Sequence, residues 1–210
     1  MKVIAIVGSP RVNGNTERFA QQALDAIAAE GIDTELIRLA GLDIAPCDAC
    51  MACRGNPECS IEDDFQQVYP KMAEASGIIL ASPVYFGSAT ANIKALMDRA
   101  GYVGRNNGDL FARKVGGPMV VARRAGHNFT YAQLMYWFMI CGFIVPGSTY
   151  WNIAFGRQPG EVVNDTEGMQ TATNFGKNIA WLLKSLGRTR RRAGQLVGQV
   201  WRACLKTRLW

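Results

Sequence analysis

The stretch Gly8-Ser-Pro-Arg-Val-Asn-Gly-Asn-Thr16 constrains this chain more than any other. Before it runs Lys2-Val-Ile-Ala-Ile-Val7, an apolar segment short enough to be a buried parallel strand. After it, from Glu17 to Ala28, Phe19, Ala20, Ala23, Leu24 and Ile27 recur at helical spacing. A loop joining such a strand to such a helix lies against the free backbone N–H groups of the first helical turn and the positive end of its dipole. Ser9, Asn15 and Thr16 add short polar side chains, and Arg11 adds a fork suited to phosphate oxygens. Gly8 and Gly14 allow the backbone to turn and approach a ligand. The spacing lacks the Gly-Lys-Ser/Thr ending of a nucleoside-triphosphate loop and the G-x-G-x-x-G of a dinucleotide loop. A terminal monophosphate, as in FMN, fits best; a well-capped loop that holds nothing is the alternative.

Strand and helix patterns alternate along the rest of the chain. Thr34–Leu39 reads as the second strand, Gly77–Ala81 as the third and Lys114–Ala122 as the fourth, with Gly116, Gly117 and Pro118 blurring its start. Phe143–Val145 is expected to begin the fifth. Helices are expected from Asp63, through Asn92–Arg99, over Phe129–Cys141 and over Met169–Leu186; Gly41–Ser60 and Trp151–Gly168 read as long loops. This order predicts an α/β fold: a flavodoxin-like, doubly wound, five-stranded parallel sheet of order 2-1-3-4-5 with helices on both faces. In such sheets ligands bind at the carboxyl ends of the strands, so the loops after the first, third and fourth strands should converge on one site.

At 210 residues, 49% hydrophobic and 19% charged, the chain is long enough for one domain with a substantial core. Leu134–Val145 is too short to span a bilayer, and Met1-Lys2 leads straight into the first strand, so a cytoplasmic protein is expected. There the six cysteines would be reduced unless they hold metal. The net charge of +6 is uneven: from Gly168 onward there are nine Lys/Arg and no Asp/Glu. Residues 1–187 therefore read as the domain and 188–210 as a basic tail. In that tail Leu196, Val197, Val200, Trp201, Cys204 and Leu205 give an amphipathic helical pattern behind Arg188-Thr-Arg-Arg-Arg192. Packing on a neighbouring subunit with a solvated charged face is favoured over a nucleic-acid, anionic-partner or membrane role.

Two further constellations bear on chemistry. Ser82-Pro-Val-Tyr-Phe-Gly87, at the carboxyl end of the third strand, is either core or a wall for a flat conjugated ring. Arg123-Arg-Ala-Gly-His127 follows the fourth strand and brings positive charge to the same end; His127, the only histidine, reads as a surface residue. Cys47-x2-Cys50-x2-Cys53-x5-Cys59 places four thiols on one loop at a spacing that suits a [4Fe–4S] cube. A single zinc ion is a weaker reading, and plain reduced thiols are the alternative. Cys141 and Cys204 read as packing residues.

The combination of Gly8-Ser-Pro-Arg with Gly14-Asn-Thr16, Ala81-Ser-Pro-Val-Tyr-Phe-Gly87 and Lys94-Ala-Leu-Met-Asp-Arg99 resembles the NAD(P)H-dependent FMN reductase family of flavodoxin-like proteins. Ser148–Asn152 and Gly160–Gly168 fit the same group, and the cysteine run resembles its iron–sulfur flavoprotein branch. The resemblance covers about residues 1–187. It implies FMN with its phosphate on Ser9, Arg11, Asn15 and Thr16. The ring would lie against Pro83, Val84, Tyr85, Phe86 and Gly87, with further contacts from Arg123, Arg124 and Gly126. It also implies a cluster on Cys47, Cys50, Cys53 and Cys59, electrons from NAD(P)H or a ferredoxin-like carrier, and a homodimer or homotetramer. The activity expected is an FMN-dependent oxidoreductase; an electron carrier without an enzymatic step of its own is the other reading.

Overall fold

Apolar residues fill both faces of the central strands, and their alternation sorts the helices into two layers. The computed structural model describes residues 1–192, and the side chains of residues 1–187. In β1 (Lys2–Val7), Ile4 and Ile6 enter one core while Val3, Ala5 and Val7 enter the other. The first core is closed by α2 (Phe65–Glu74), α3 (Ala91–Asn106) and α4 (His127–Ile140), and the second by α1 (Asn15–Ala28) and α5 (Thr166–Arg192). Between them β2 (Asp33–Arg38), β1, β3 (Gly77–Pro83), β4 (Val115–Ala122) and β5 (Ile153–Phe155) pair in parallel in the order β2-β1-β3-β4-β5. The expected doubly wound five-stranded sheet is what the chain forms.

β5 is not where the sequence pattern placed it. Ile144 makes one rung with β4: its N–H donates to the Lys114 carbonyl, and the Gly116 N–H donates to its own carbonyl. The next residue of β4 on that side is Pro118, which has no N–H to offer, and Pro146 interrupts the opposing chain. The ladder therefore breaks. Asn152 spans the gap, donating from Nδ2 to the Pro118 carbonyl and accepting the Val120 N–H at its own carbonyl. Pairing resumes at Ile153, inside a segment expected to be loop, with Val120 opposite Ile153.

α5 runs unbroken from Thr166 to Arg192, across the expected division at residue 187, and the rest of the basic tail, with Cys204, lies outside the described residues. Among the described residues no helix is long and apolar enough to cross a membrane. Cys141 is buried against the first core, as expected of a packing residue.

Close approach of β3 and β4 depends on Gly116. A Cβ added there would stand 1.7 Å from the Ile78 carbonyl oxygen, and no side-chain movement relieves a contact with backbone. Gly116→Ala is expected to destabilise the domain by about 1–3 kcal/mol or more, read as a lower urea midpoint. An unchanged midpoint would mean that the two strands do not pack this way.

Candidate functional site

The loop after β1 is shaped by its own hydrogen bonds and leads into a helix without a side-chain cap. Gly14 precedes α1 with no side-chain cap on the first turn, so the helix's leading N–H groups meet no capping side chain. Ser9 Oγ accepts the Arg11 N–H at 3.1 Å, and Thr16 is buried beneath the loop. Asn13 takes a left-handed conformation, φ 57°, which turns its N–H onto Glu17 Oε2 at 2.9 Å. Glu17 in turn receives Arg38 Nε at 2.9 Å and a second guanidinium nitrogen at 2.6 Å. The hydrogen bonds from Arg38 chiefly, and the Asn13 N–H after them, hold the Glu17 carboxyl below the usual carboxylate range, against burial that would raise it. An acidic residue in the first turn is thereby neutralised and spent on loop shape.

Ser9, Arg11, Asn15 and Thr16 line a cleft of about 320 Å³ together with Pro83, Val84 and Tyr85 from the end of β3. Val121 in β4 and Arg123 just after it close the cleft. That volume falls within the roughly 300–1,000 Å³ of small-molecule sites. Arg11, Arg123 and Arg157 reach it, and among the described residues no acidic side chain lines it. The loops after the first, third and fourth strands do converge.

A fourth segment completes the cleft: Gly156, Arg157, Gln158 and Pro159, just after β5. Sequence reasoning missed it because β5 was expected some ten residues earlier. The signal available was a glycine followed by an arginine beyond an apolar triplet, Ile153-Ala-Phe155. Glu161 folds this segment by accepting the N–H groups of Arg157 and Gln158, both at 2.7 Å. Asn15, expected as a phosphate donor, spends its side chain here. Its Nδ2 donates to the Gln158 carbonyl at 2.8 Å and its Oδ1 accepts the Val162 N–H at 3.2 Å.

Four expected contacts lie off the cleft wall. Phe86 and Gly87 form the tip of a tight turn closed by reciprocal hydrogen bonds between Tyr85 and Ser88; both have positive φ, 50° and 80°, and the Phe86 side chain is fully exposed. Gly126 carries the β4 loop against the β3 loop: a Cβ there would be 2.9 Å from Val84 Cγ1 and 3.4 Å from Gly87 Cα. Arg124 is exposed in the same loop. His127 opens α4 and packs edge-on against Phe155, with its Nδ1 buried and unpartnered among the described residues.

The cysteines form a second cleft. Cys47, Cys50, Cys53 and Cys59 all border it, and all are free thiols. The Ala49 N–H donates to Cys47 Sγ at 3.4 Å, Cys50 Sγ lies 3.2 Å from Ser60 Oγ, and Asn106 Nδ2 donates to Cys53 Sγ at 3.8 Å. Among the described residues no three His, Cys, Asp or Glu side chains are grouped as ligands of a metal ion. What the loop offers is four sulfurs around one small, mostly apolar depression, a donor set chemically suited to iron–sulfur rather than to hard cations.

Arg99 underpins that loop. Its side chain is fully buried; Nη1 donates to Asp63 Oδ2 at 2.5 Å and to the Ala45 carbonyl at 3.2 Å, and Nη2 donates to the Ile61 carbonyl at 2.9 Å. The guanidinium stacks 4.2 Å from the Phe65 ring. Burial works against its charge, but the hydrogen bond to Asp63 and the neighbouring Cys59 sulfur prevail and push its pKa further above the ordinary arginine value. Burial likewise pushes the Asp63 carboxyl up, yet hydrogen bonds from Arg99 and from the Ala45 and Phe65 N–H groups hold it below the usual range.

A parallel sheet with an anion-ready loop at its switch point defines a flavodoxin-like mononucleotide-binding protein. The family model of NADPH-dependent FMN reductases matches residues 1–158, and the chain belongs to that family. It is 43% identical over 191 residues to an iron–sulfur flavoprotein of Methanocaldococcus jannaschii, covering 88% of this chain and 98% of that protein. It is 37% identical over 195 residues to an iron–sulfur flavoprotein of Methanosarcina thermophila, covering 90% and 99%. Two solved structures share the fold. RosB with a bound 8-demethyl-8-formylriboflavin-5'-phosphate intermediate has a TM-score of 0.67 at 18% identity, covering 100% of this chain and 89% of that one. A flavodoxin from the domain Archaea has a TM-score of 0.60 at 17% identity, covering 88% and 99%.

The Glu17–Arg38 pair has a pH signature. A carboxyl held below its ordinary value of 4.5 contributes stability that is complete above that value and lost as pH falls through the lower folded pKa. Wild type should therefore exceed Glu17→Gln in unfolding free energy at pH 7, with the difference narrowing below pH ~4.5. Denaturant unfolding across that range checks this; a constant difference would detach the pair from loop stability.

Proposed function

We propose that this chain is an FMN-dependent oxidoreductase that takes electrons from NAD(P)H or from a ferredoxin-like one-electron carrier. The observation that carries the reading is the cleft: uncapped α1 N–H groups, Ser9, Thr16 and Arg11 at one end, and Pro83, Val84 and Tyr85 as an apolar wall at the other. A terminal phosphate satisfies the first and a flat ring the second. Arg123 and Arg157 supply positive charge without any opposing carboxylate in the lining. Asn15 would act on the phosphate indirectly, by fixing the loop that closes over it. Bound FMN supplies the chemistry, exchanging electrons in pairs or singly. The chain's own contribution is position, exclusion of water and field.

The four thiols support a [4Fe–4S] cluster as second cofactor, held by Cys47, Cys50, Cys53 and Cys59. That cleft also supports the second reading, an electron carrier that trades only with ferredoxin-like partners. Steady oxidation of NADH or NADPH by purified protein separates the two. Activity with a nicotinamide establishes the enzyme, and its absence in protein that still accepts electrons from reduced ferredoxin establishes the carrier. A homo-oligomer would cover the exposed apolar side chains of α4, Phe129, Tyr136, Met139 and Ile140, and a cytoplasmic location would keep the thiols reduced.

Arg11→Ala should weaken FMN binding about ten- to 150-fold, the loss of one charge-assisted hydrogen bond of roughly 1.5–3 kcal/mol. Fluorescence titration reads it, and unchanged affinity would remove Arg11 from the phosphate site. Cys50→Ser should abolish iron and acid-labile sulfide in anaerobically prepared protein while FMN stays bound, since none of Cys47, Cys50, Cys53 and Cys59 lines the nucleotide cleft. Wild-type protein with FMN and no iron would end the cluster reading.

A further inference from the structure

The buried Arg99–Asp63 pair asks for an explanation beyond structure. Removing both charges from water is costly, and well-packed apolar residues would stabilise the same junction as well or better. Arg99 also has capacity left over. Its Nη1 and Nη2 donate to Asp63, Ala45 and Ile61, but its Nε–H is buried with no partner among the described residues. An orphaned donor of this kind costs free energy unless something accepts from it. Arg99 lines the same depression as Cys47, Cys50, Cys53 and Cys59, and among the described residues nothing else on that lining carries positive charge. The second charge there is Asp48, exposed and turned onto the Cys50 N–H at 3.1 Å.

We infer that Arg99 is a positioning residue for the thiolate-bound cluster, whose buried positive charge and free N–H favour the cluster's reduced form. The inference rests on the cluster reading above. Reduction adds one electron and no atom, so the cluster would gain one negative charge near a guanidinium that is held by three hydrogen bonds, stays protonated and is shielded from water. Iron–sulfur potentials respond to net charge and to hydrogen bonds on the sulfurs. Asp63 opposes the effect by partly cancelling the Arg99 charge, and so sets how much of it the cluster feels.

That opposition gives the test. Arg99→Gln removes the positive charge and should lower the cluster's midpoint potential; Asp63→Asn removes the negative one, keeps an acceptor for Arg99, and should raise it. Each shift should correspond to at least a tenfold change in the reduction equilibrium, about 59 mV for a one-electron couple. The measurement is an anaerobic potentiometric titration with dithionite, followed by electron paramagnetic resonance, on full-length protein of known iron and sulfide content. If the pair merely held the loop shut, both variants would loosen it and shift the potential in the same direction or not at all; either result overturns the inference. Should Arg99→Gln fail to fold or to keep iron, Asp63→Asn decides alone: a rise supports the inference and anything else overturns it. Wild-type protein free of iron and sulfide would remove the cluster reading itself, and this inference with it, whereas iron-replete protein with unmoved potentials removes only the role of Arg99.

Discussion

Both backbone polar groups of Gly8 are taken by the far side of the sheet's switch point, and the nucleotide cleft depends on that attachment. Its N–H donates to the Ala81 carbonyl at 2.8 Å, and its carbonyl accepts Thr90 Oγ1 at 2.7 Å. Thr90 closes the circuit by donating its own N–H to Ser82 Oγ at 3.1 Å. The loop after β1, the end of β3 and the start of α3 are thus one hydrogen-bonded unit. The approach is too close for any side chain, since a Cβ on Gly8 would stand 2.7 Å from Thr90 Oγ1 and 2.8 Å from Ile93 Cβ. With the two loops pinned at that spacing, the walls of the cleft contributed by the β1 and β3 loops keep a fixed separation. Such preorganisation is what lets binding energy go into the complex rather than into ordering the site.

What the sequence made legible is what short-range physics controls. The strand–loop–helix signal at Gly8–Thr16 needs only neighbouring residues, and it survives in β1, the uncapped start of α1 and the cleft. The alternation that assigns Ile4 and Ile6 to one core and Val3, Ala5 and Val7 to the other is likewise local. β5 was illegible for the opposite reason. Phe143-Ile-Val145 has the stronger β composition, yet Pro118 on the partner strand withholds the next ladder bond, and that partner lies some 25 residues away in the chain. The three-residue strand Ile153–Phe155 is too short to advertise itself. Losing its place hid the Gly156–Pro159 loop, and with it the true partner of Asn15.

Arg99 shows the same limit at the cysteine loop. In the sequence it closes an ordinary helical run, Lys94-Ala-Leu-Met-Asp-Arg99, where an arginine is expected to be solvated. Only when the loop folds back, with Asp63 accepting the Ala45 N–H at 2.9 Å, does the guanidinium become enclosed by Ala45, Ile61 and Phe65. A charge run or a motif names the residue; burial decides what its charge can do.

The two clefts use positive charge in physically different ways. Arg11, Arg123 and Arg157 are exposed at the nucleotide cleft, where water and salt screen them beyond about 8–10 Å. Their field acts on an anion in direct contact and fades for anything more distant. Arg99 is wholly enclosed, so its field is screened mainly by the one carboxylate paired with it. A fixed, desolvated charge of that kind is a poor anchor for a diffusing ligand, because Asp63, Ala45 and Ile61 already take its terminal nitrogens. On the cluster reading proposed above, Arg99 acts instead on the energy of an electron arriving at the sulfurs that share its depression. On the readings proposed above, the tasks separate by depth: solvent-facing arginines at the carboxyl edge of the sheet for binding, and one buried arginine behind the cysteine loop for setting the energy of electron transfer.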